Sequence, residues 1–115
     1  MNILKSLFGG GTNSLTVEDA KARIENHQPL LILDVRQPEE FRAGHIAGAK
    51  LIPLNELGSR IEELPKEKEI LCVCASGARS SAAAGQLSNA GFNVLNMRGG
   101  MSGWQRAGYP IKKGK

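Results

Sequence analysis

The sequence predicts an α/β domain with a mainly parallel central sheet and helices on both faces. Three observations carry this. Apolar runs of strand length alternate along the chain with segments of helical periodicity. The longest runs, "LLILDV" (30–35) and "EILCVC" (69–74), are almost continuously apolar, as in strands covered on both sides. Pro, Gly and Asn mark the joins between segments. The 115 residues, 41% hydrophobic and 23% charged, suit one soluble globular domain with a core of its own.

In chain order, "MNILKSLFGGG" opens with an apolar run too short for a signal peptide or a membrane span. Ile3, Leu4, Leu7 and Phe8 would share one face of a short helix, and "GGGTNS" (9–14) reads as a flexible linker. The expected organisation is a flexible segment over 1–13, a domain over 14–110 and a basic tail over 111–115. Thr16 is placed to cap a first helix whose apolar face is Val17, Ala20 and Ile24, ended by Asn26 and Pro29. After the strand at 30–35, "QPEEFRAG" starts a short helix with Pro38 in its first turn and Gly44 at its exit. "AKLIPL" (49–54) is a short strand stopped by Pro53, and Asn55 is placed to cap a third helix with the stripe Leu57, Ile61, Leu64. The strand at 69–74 follows. A helix over 80–90 then presents Ala82, Ala83 and Gly85 for close approach to a sheet and ends at Gly91. "FNVLNM" (92–97) is a further strand, a last helical turn covers 102–106, and "GYPIKKGK" trails off.

In parallel sheets of this kind, sites form at the carboxyl ends of the strands. Asp34, Cys74 and Arg98 all stand at such ends. Both cysteines lie two apart on one strand, where their Cα atoms approach the upper limit for a disulfide, about 6.5–7 Å. Reduced thiols in a cytoplasmic compartment are expected. Period-two alternation puts residues 70, 72 and 74 on one side of the strand, so Cys72 reads as a small buried hydrophobe. Two cysteines on one strand do not supply a metal's ligand set, and His27 and His45 have no ligand-like spacing to them, so no metal is expected.

Cys74 is different. It ends its strand, and Ala75, Ser76, Gly77 and Ala78 separate it from Arg79, where a helix begins. Backbone N–H groups of such a segment can curl around one point, with Gly77 supplying the positive φ and small side chains leaving the rim open. N–H dipoles and the Arg79 cation both favour a thiolate at Cys74, the nucleophilic form. Cysteine phosphatases of the protein-phosphatase type have five residues in the corresponding gap. One residue less, about 3.3–3.6 Å of contour, makes a cradle too small for a phosphoryl group and suited to a single sulfur atom. A structural turn that happens to contain Cys is the alternative reading.

Together these residues resemble a single-domain rhodanese, the thiosulfate-type sulfurtransferase family. "LLILDVRQPEEFRAGHIAGA" looks like the family's first signature, "CASGARS" its six-residue active-site loop followed by Ser, and "MRGGMSGWQRAGYP" its closing signature. The resemblance spans about residues 14–110. It implies a rhodanese-like fold with a five-stranded sheet, the fifth strand falling at 14–16 on the edge. It implies a sulfurtransferase needing no organic cofactor, in which Cys74 takes a sulfane sulfur, holds it as a persulfide and passes it to cyanide or a thiol. Arg79 would organise the loop, and Arg36 would face the catalytic pocket as a second counter-charge to a dianionic donor. For Arg36 the alternative is a salt bridge to Glu39 or Glu40. Asp34 is expected to fix loop backbone, His45 to have a positional role and Trp104 to be core.

Many thiosulfate-preferring members carry a basic residue within the loop, whereas positions 75 and 78 here are Ala. A protein-bound or small-molecule persulfide is therefore as open a donor as thiosulfate. Other readings are a persulfide carrier or sensor without turnover, and a phosphatase or arsenate reductase on the same fold. The expected partners are a small anionic sulfur donor and a thiol or cyanide acceptor, with a protein donor or acceptor also open. The net charge of +4 favours anionic substrates. At 4% aromatic content the chain lacks a stacking platform for nucleic acid. No membrane partner is expected, and the chain is expected to be a monomer.

Overall fold

The computed structural model describes residues 13–115. The helical face and glycine linker expected up to residue 12 lie outside the described residues. Five strands form one parallel sheet: β1 (Asn13–Leu15), β2 (Leu31–Asp34), β3 (Lys50–Leu51), β4 (Glu69–Val73) and β5 (Asn93–Met97). Their order is β1-β5-β4-β2-β3, so β4 is the middle strand. The helices are α1 (Val17–Glu25), α2 (Pro38–Ala43), α3 (Leu57–Arg60), α4 (Ala78–Asn89) and α5 (Gly100–Arg106). The edge strand expected at 14–16 is β1, one residue earlier. Asn13 and Ser14, assigned to the flexible segment and linker, are therefore sheet residues paired with Leu95 and Asn96.

Alternation along the strands divides the core into two layers. On one face Leu33, Ile70, Cys72, Cys74 and Val94 pack against Leu57 of α3 and Ala83, Ala84 and Leu87 of α4. On the other, Ile32, Leu71, Val73, Leu95 and Met97 meet Val17 and Ala20 of α1 and Met101 and Trp104 of α5. Both cysteines thus share one face, with Cys72 fully buried and pushed up to about 12 by desolvation and the neighbouring Cys74.

Local signals explain the helix ends. Thr16 Oγ1 accepts the Asp19 amide at 3.0 Å and caps α1. At the end of α4, the Gly91 amide bonds Ser88 O and the Phe92 amide bonds Leu87 O, both at 3.0 Å. Gly91 at φ +94° makes that reversal possible. Helix α4 starts at Ala78, two residues earlier than expected, so Arg79 lies inside its first turn. The third helix is broken: 3₁₀ turns at Leu54–Glu56 and Ile61–Glu63 flank the single turn of α3. Asn55 does not cap it. It sits within the first 3₁₀ turn, and its Oδ1 accepts from Gln37 Nε2.

The C-terminal segment does not trail off. The His45 amide bonds Lys112 O at 2.9 Å, the Lys112 amide bonds His45 O at 2.8 Å, and the Gly114 amide bonds Arg42 O at 2.9 Å. Three backbone bonds thus fasten the end of the chain to the α2–β3 connection.

Candidate active site

Cys74 follows the last residue of β4, and its backbone is clamped from above. The Met101 amide bonds Cys74 O at 2.8 Å and the Ser102 amide bonds Ala75 O at 2.9 Å. The contact needs glycine at position 100. A Cβ there would lie 2.5 Å from Ala75 O and 2.6 Å from Cys74 O, and its φ of +57° disfavours a side chain as well.

Residues 75–79 curl over the sulfur. Gly77, at φ +110°, has the positive φ the loop was expected to need. Its amide points at Cys74 Sγ from 3.0 Å, and Ser80 Oγ lies 3.3 Å from the same atom. Cys74, placed by the sequence at a strand end, is buried. The thiol sits under the loop instead of on it. Burial pushes its pKa up, but the Ser80 hydroxyl and the amides of Ser80, Gly77 and Ser76 outweigh burial and leave it lower than an ordinary thiol. The N–H dipoles act as expected, joined by the Ser80 hydroxyl, while the Arg79 cation, in coulombic contact with Cys74, is not among the largest causes.

Arg79 is engaged elsewhere. Its Nη1 and Nη2 donate to Glu40 Oε1 and Oε2, each at 2.8 Å. Glu40 Oε1 also accepts the Gln37 amide at 2.9 Å, joining the start of α4 to the start of α2. Arg79 draws the Glu40 carboxyl down to about 2, and Glu40 raises the Arg79 pKa in turn.

Arg36 departs further from expectation. Its Nε and Nη2 donate to Asp34 Oδ1 and Oδ2 at 2.9 and 2.8 Å, and Nη2 also donates to Gly44 O at 2.8 Å. Both residues are buried. The partner is Asp34, not Glu39 or Glu40. Asp34 Oδ1 also accepts the Arg36 amide at 3.1 Å, so it does hold loop backbone. Both arginines expected to meet a dianion are thus held by carboxylates.

His45 is buried, stacked on Phe41 with ring centroids 3.7 Å apart, and its Nδ1 lies 2.7 Å from Phe41 O. Trp104 is buried and donates to Pro110 O at 2.8 Å. No group of three or more His, Cys, Asp or Glu residues able to hold a metal occurs among the described residues. Among them, too, no helix is long and apolar enough to cross a membrane.

Three residues of the site have contacts that the sequence does not point to: Glu40 pairs with Arg79 instead of Arg36, Ser80 reaches the sulfur, and Asn96 joins Ser80. The Ser80 hydroxyl has one proton and three acceptors within reach: Cys74 Sγ, Gly77 O at 3.2 Å and Asn96 Oδ1 at 2.5 Å. A thiolate is the strongest acceptor of the three, so ionisation of Cys74 favours turning that proton toward sulfur. Asn96 Nδ2 also reaches Gly77 O at 3.4 Å. The available signal was Asn96 itself, a polar residue inside an apolar strand, which needs a buried partner.

Residues 16–107 match the Rhodanese-like domain family. Over 100 residues the chain is 36% identical to a protein named sulfurtransferase from Allochromatium vinosum, covering 86% of this chain and 94% of that one. A rhodanese-related protein from Thermoplasma volcanium superposes with a TM-score of 0.82 at 35% identity, covering 87% of this chain and 97% of that one. A thiosulfate sulfurtransferase from Pseudomonas aeruginosa superposes with a TM-score of 0.82 at 31% identity, covering 90% of this chain and 21% of its own length. The five-stranded parallel sheet, the short loop over Cys74 and these matches lead to one conclusion: the chain belongs to the rhodanese-like domain family.

Proposed function

We propose that the protein is a sulfurtransferase that carries sulfur as a persulfide on Cys74. The observation supporting this most directly is the ring of donors on Cys74 Sγ, the Gly77 amide at 3.0 Å and the Ser80 hydroxyl at 3.3 Å. They favour thiolate for attack, and the loop's remaining amides suit the terminal sulfur of a persulfide anion. With thiosulfate as donor, the Cys74 thiolate attacks the outer sulfur. The S–S bond breaks and its electron pair leaves with sulfite. Cyanide or a thiolate then attacks the terminal sulfur of the persulfide and restores the Cys74 thiolate. Each step balances without an external oxidant or reductant, and no organic cofactor is required.

Asp34 and His45 act by position in this reading, Asp34 through Arg36 and the loop after β2, His45 through Phe41. Arg79 shapes the loop through Glu40. The protein works as a cytoplasmic monomer on small sulfur compounds or protein persulfides, without nucleic acid or membrane. Thiocyanate formation from thiosulfate and cyanide, with mass spectrometry of Cys74, tests the proposal. Turnover or a gain of about 32 Da on Cys74, one sulfur, is the expected result. Absence of both with every sulfane donor would overturn it.

A further inference from the structure

Building on Cys74 as the nucleophile, we infer that Asn96 is a positioning residue that competes with the sulfur for the Ser80 proton and so sets how readily Cys74 becomes a thiolate.

Asn96 pairs with Cys72 in the register of β4 and β5, and alternation puts it with Val94 on the face that carries both cysteines. It is buried. Its contacts fix which way its amide points. Nδ2 reaches Gly77 O at 3.4 Å, and Oδ1 accepts from Ser80 Oγ at 2.5 Å. Turned over, Oδ1 would face the Gly77 carbonyl oxygen, acceptor against acceptor. Oδ1 is therefore the atom offered to Ser80.

Ser80 is fully buried and its hydroxyl has a single proton. Of the three acceptors within reach, Gly77 O already receives the Ser81 amide at 3.0 Å and faces Asn96 Nδ2. The contest is between Asn96 Oδ1 and Cys74 Sγ, 2.5 and 3.3 Å from Ser80 Oγ. Against a neutral thiol, the amide oxygen is the nearer acceptor and the better one. Against a thiolate, the sulfur wins. Turning the proton then strips a buried acceptor of its donor, and that loss weighs against ionisation. A persulfide moves the charge out to the terminal sulfur, and the proton returns to Asn96.

A change at position 96 leaves the charged and titratable groups around the sulfur in place. These are Cys72 on β4, Arg79 on α4 with Glu40 on α2, and Asp34 on β2 with Arg36. Arg98 follows β5, α5 carries only Arg106, and α3 only Arg60, which is paired with Glu56 and Glu63.

The experiment measures the pH midpoint of iodoacetamide alkylation of Cys74 in wild type, Asn96→Leu, Ser80→Ala and the double variant, with thermal melting as the check of folding. In Asn96→Leu, Gly77 O keeps the Ser81 amide, and the hydroxyl turns to sulfur without stranding another acceptor. The midpoint should fall by about half to one pH unit, the weight of one hydrogen bond and opposite in sign to Ser80→Ala. In the Ser80→Ala background, Asn96→Leu should have no further effect, because Asn96 acts through the hydroxyl. Asn96→Val removes the same acceptor with a side chain suited to a strand, and should give the same fall if the leucine variant does not fold. An unchanged or raised midpoint in a folded variant, or the same fall with and without the Ser80 hydroxyl, would overturn the inference. Alkylation reads the thiolate without any sulfur donor. A lowered midpoint in Asn96→Leu, with no sulfur gained by wild-type Cys74 from any sulfane donor, would therefore support the role of Asn96 and overturn only the sulfurtransferase.

Discussion

Arg79 and Glu40, thirty-nine positions apart, face each other through two parallel 2.8 Å hydrogen bonds that join the first turns of α4 and α2. The arginine that closes the Cys74 loop is therefore a tie to the neighbouring helix. Its charge is largely spent on that tie, and the environment of the sulfur is set mainly by backbone amides and the Ser80 hydroxyl.

Removing the carboxylate should loosen the loop more than the fold. The pair is about one-third exposed on each side, so Glu40→Gln should cost at most about 1 kcal/mol in urea unfolding. The Glu40 carboxyl is held at about 2 against an ordinary 4.5. A folded pKa below the unfolded value means that the folded chain binds that proton less readily. The stabilisation is therefore present above about pH 4.5 and is lost as pH falls toward 2. Wild type should lose more stability than Glu40→Gln across that window, measured by urea midpoints at successive pH values.

Ser80→Ala removes the hydroxyl that helps hold the Cys74 thiolate. The pH midpoint of iodoacetamide alkylation should lie below 9.0 in wild type and move up in the variant. Alkylation near neutral pH should slow several-fold, read by mass spectrometry of the modified Cys74 peptide. Cys74→Ser should abolish persulfide formation.

Cys72 has the opposite chemistry. Fully buried and pushed up to about 12, it should stay unmodified by iodoacetamide at pH 8 in the folded protein. Cys72→Ala should cost about 1 kcal/mol through lost packing and leave sulfur transfer within about twofold of wild type. Chemical denaturation and the thiocyanate assay separate the two effects.

Asp34→Asn leaves Arg36 buried without its counter-charge. Breaking such a pair from one side typically costs about 3–5 kcal/mol, so a strong fall in the thermal midpoint is expected. Gly100→Ala forces a Cβ to 2.5 Å from Ala75 O and a side chain into φ +57°. Strain of about 1–3 kcal/mol is expected, with slower loading of Cys74 because the Met101–Cys74 clamp is displaced.

The sheet was legible because buried parallel strands write themselves as continuous apolar runs, and Cys74 because its gap to Arg79 is so short. The pairing of charges was not. Arg36 has carboxylates at 34, 39 and 40 within reach along the chain, and only the turn after β2 decides that Asp34 takes it. Glu40 meets Arg79 across two helices whose proximity no local pattern encodes. The break in the third helix is hidden because Leu57, Ile61 and Leu64 have helical spacing, whereas the backbone around them tightens into 3₁₀ turns. The lysines of the tail say nothing of its pairing with His45, which depends on backbone groups that every sequence has.

The reactive sulfur hangs from the strand that is flanked on both sides, two strands in from either border of the sheet. Amide protons of Ile70 to Val73 should accordingly be among the slowest in the molecule to exchange with deuterium, and those of β1 and β3 among the fastest of the strands. Fraying at the borders, where short elements open and close continually, would then leave the seat of the nucleophile undisturbed. Loosening of the loop over Cys74 would likewise leave β4 paired on both sides.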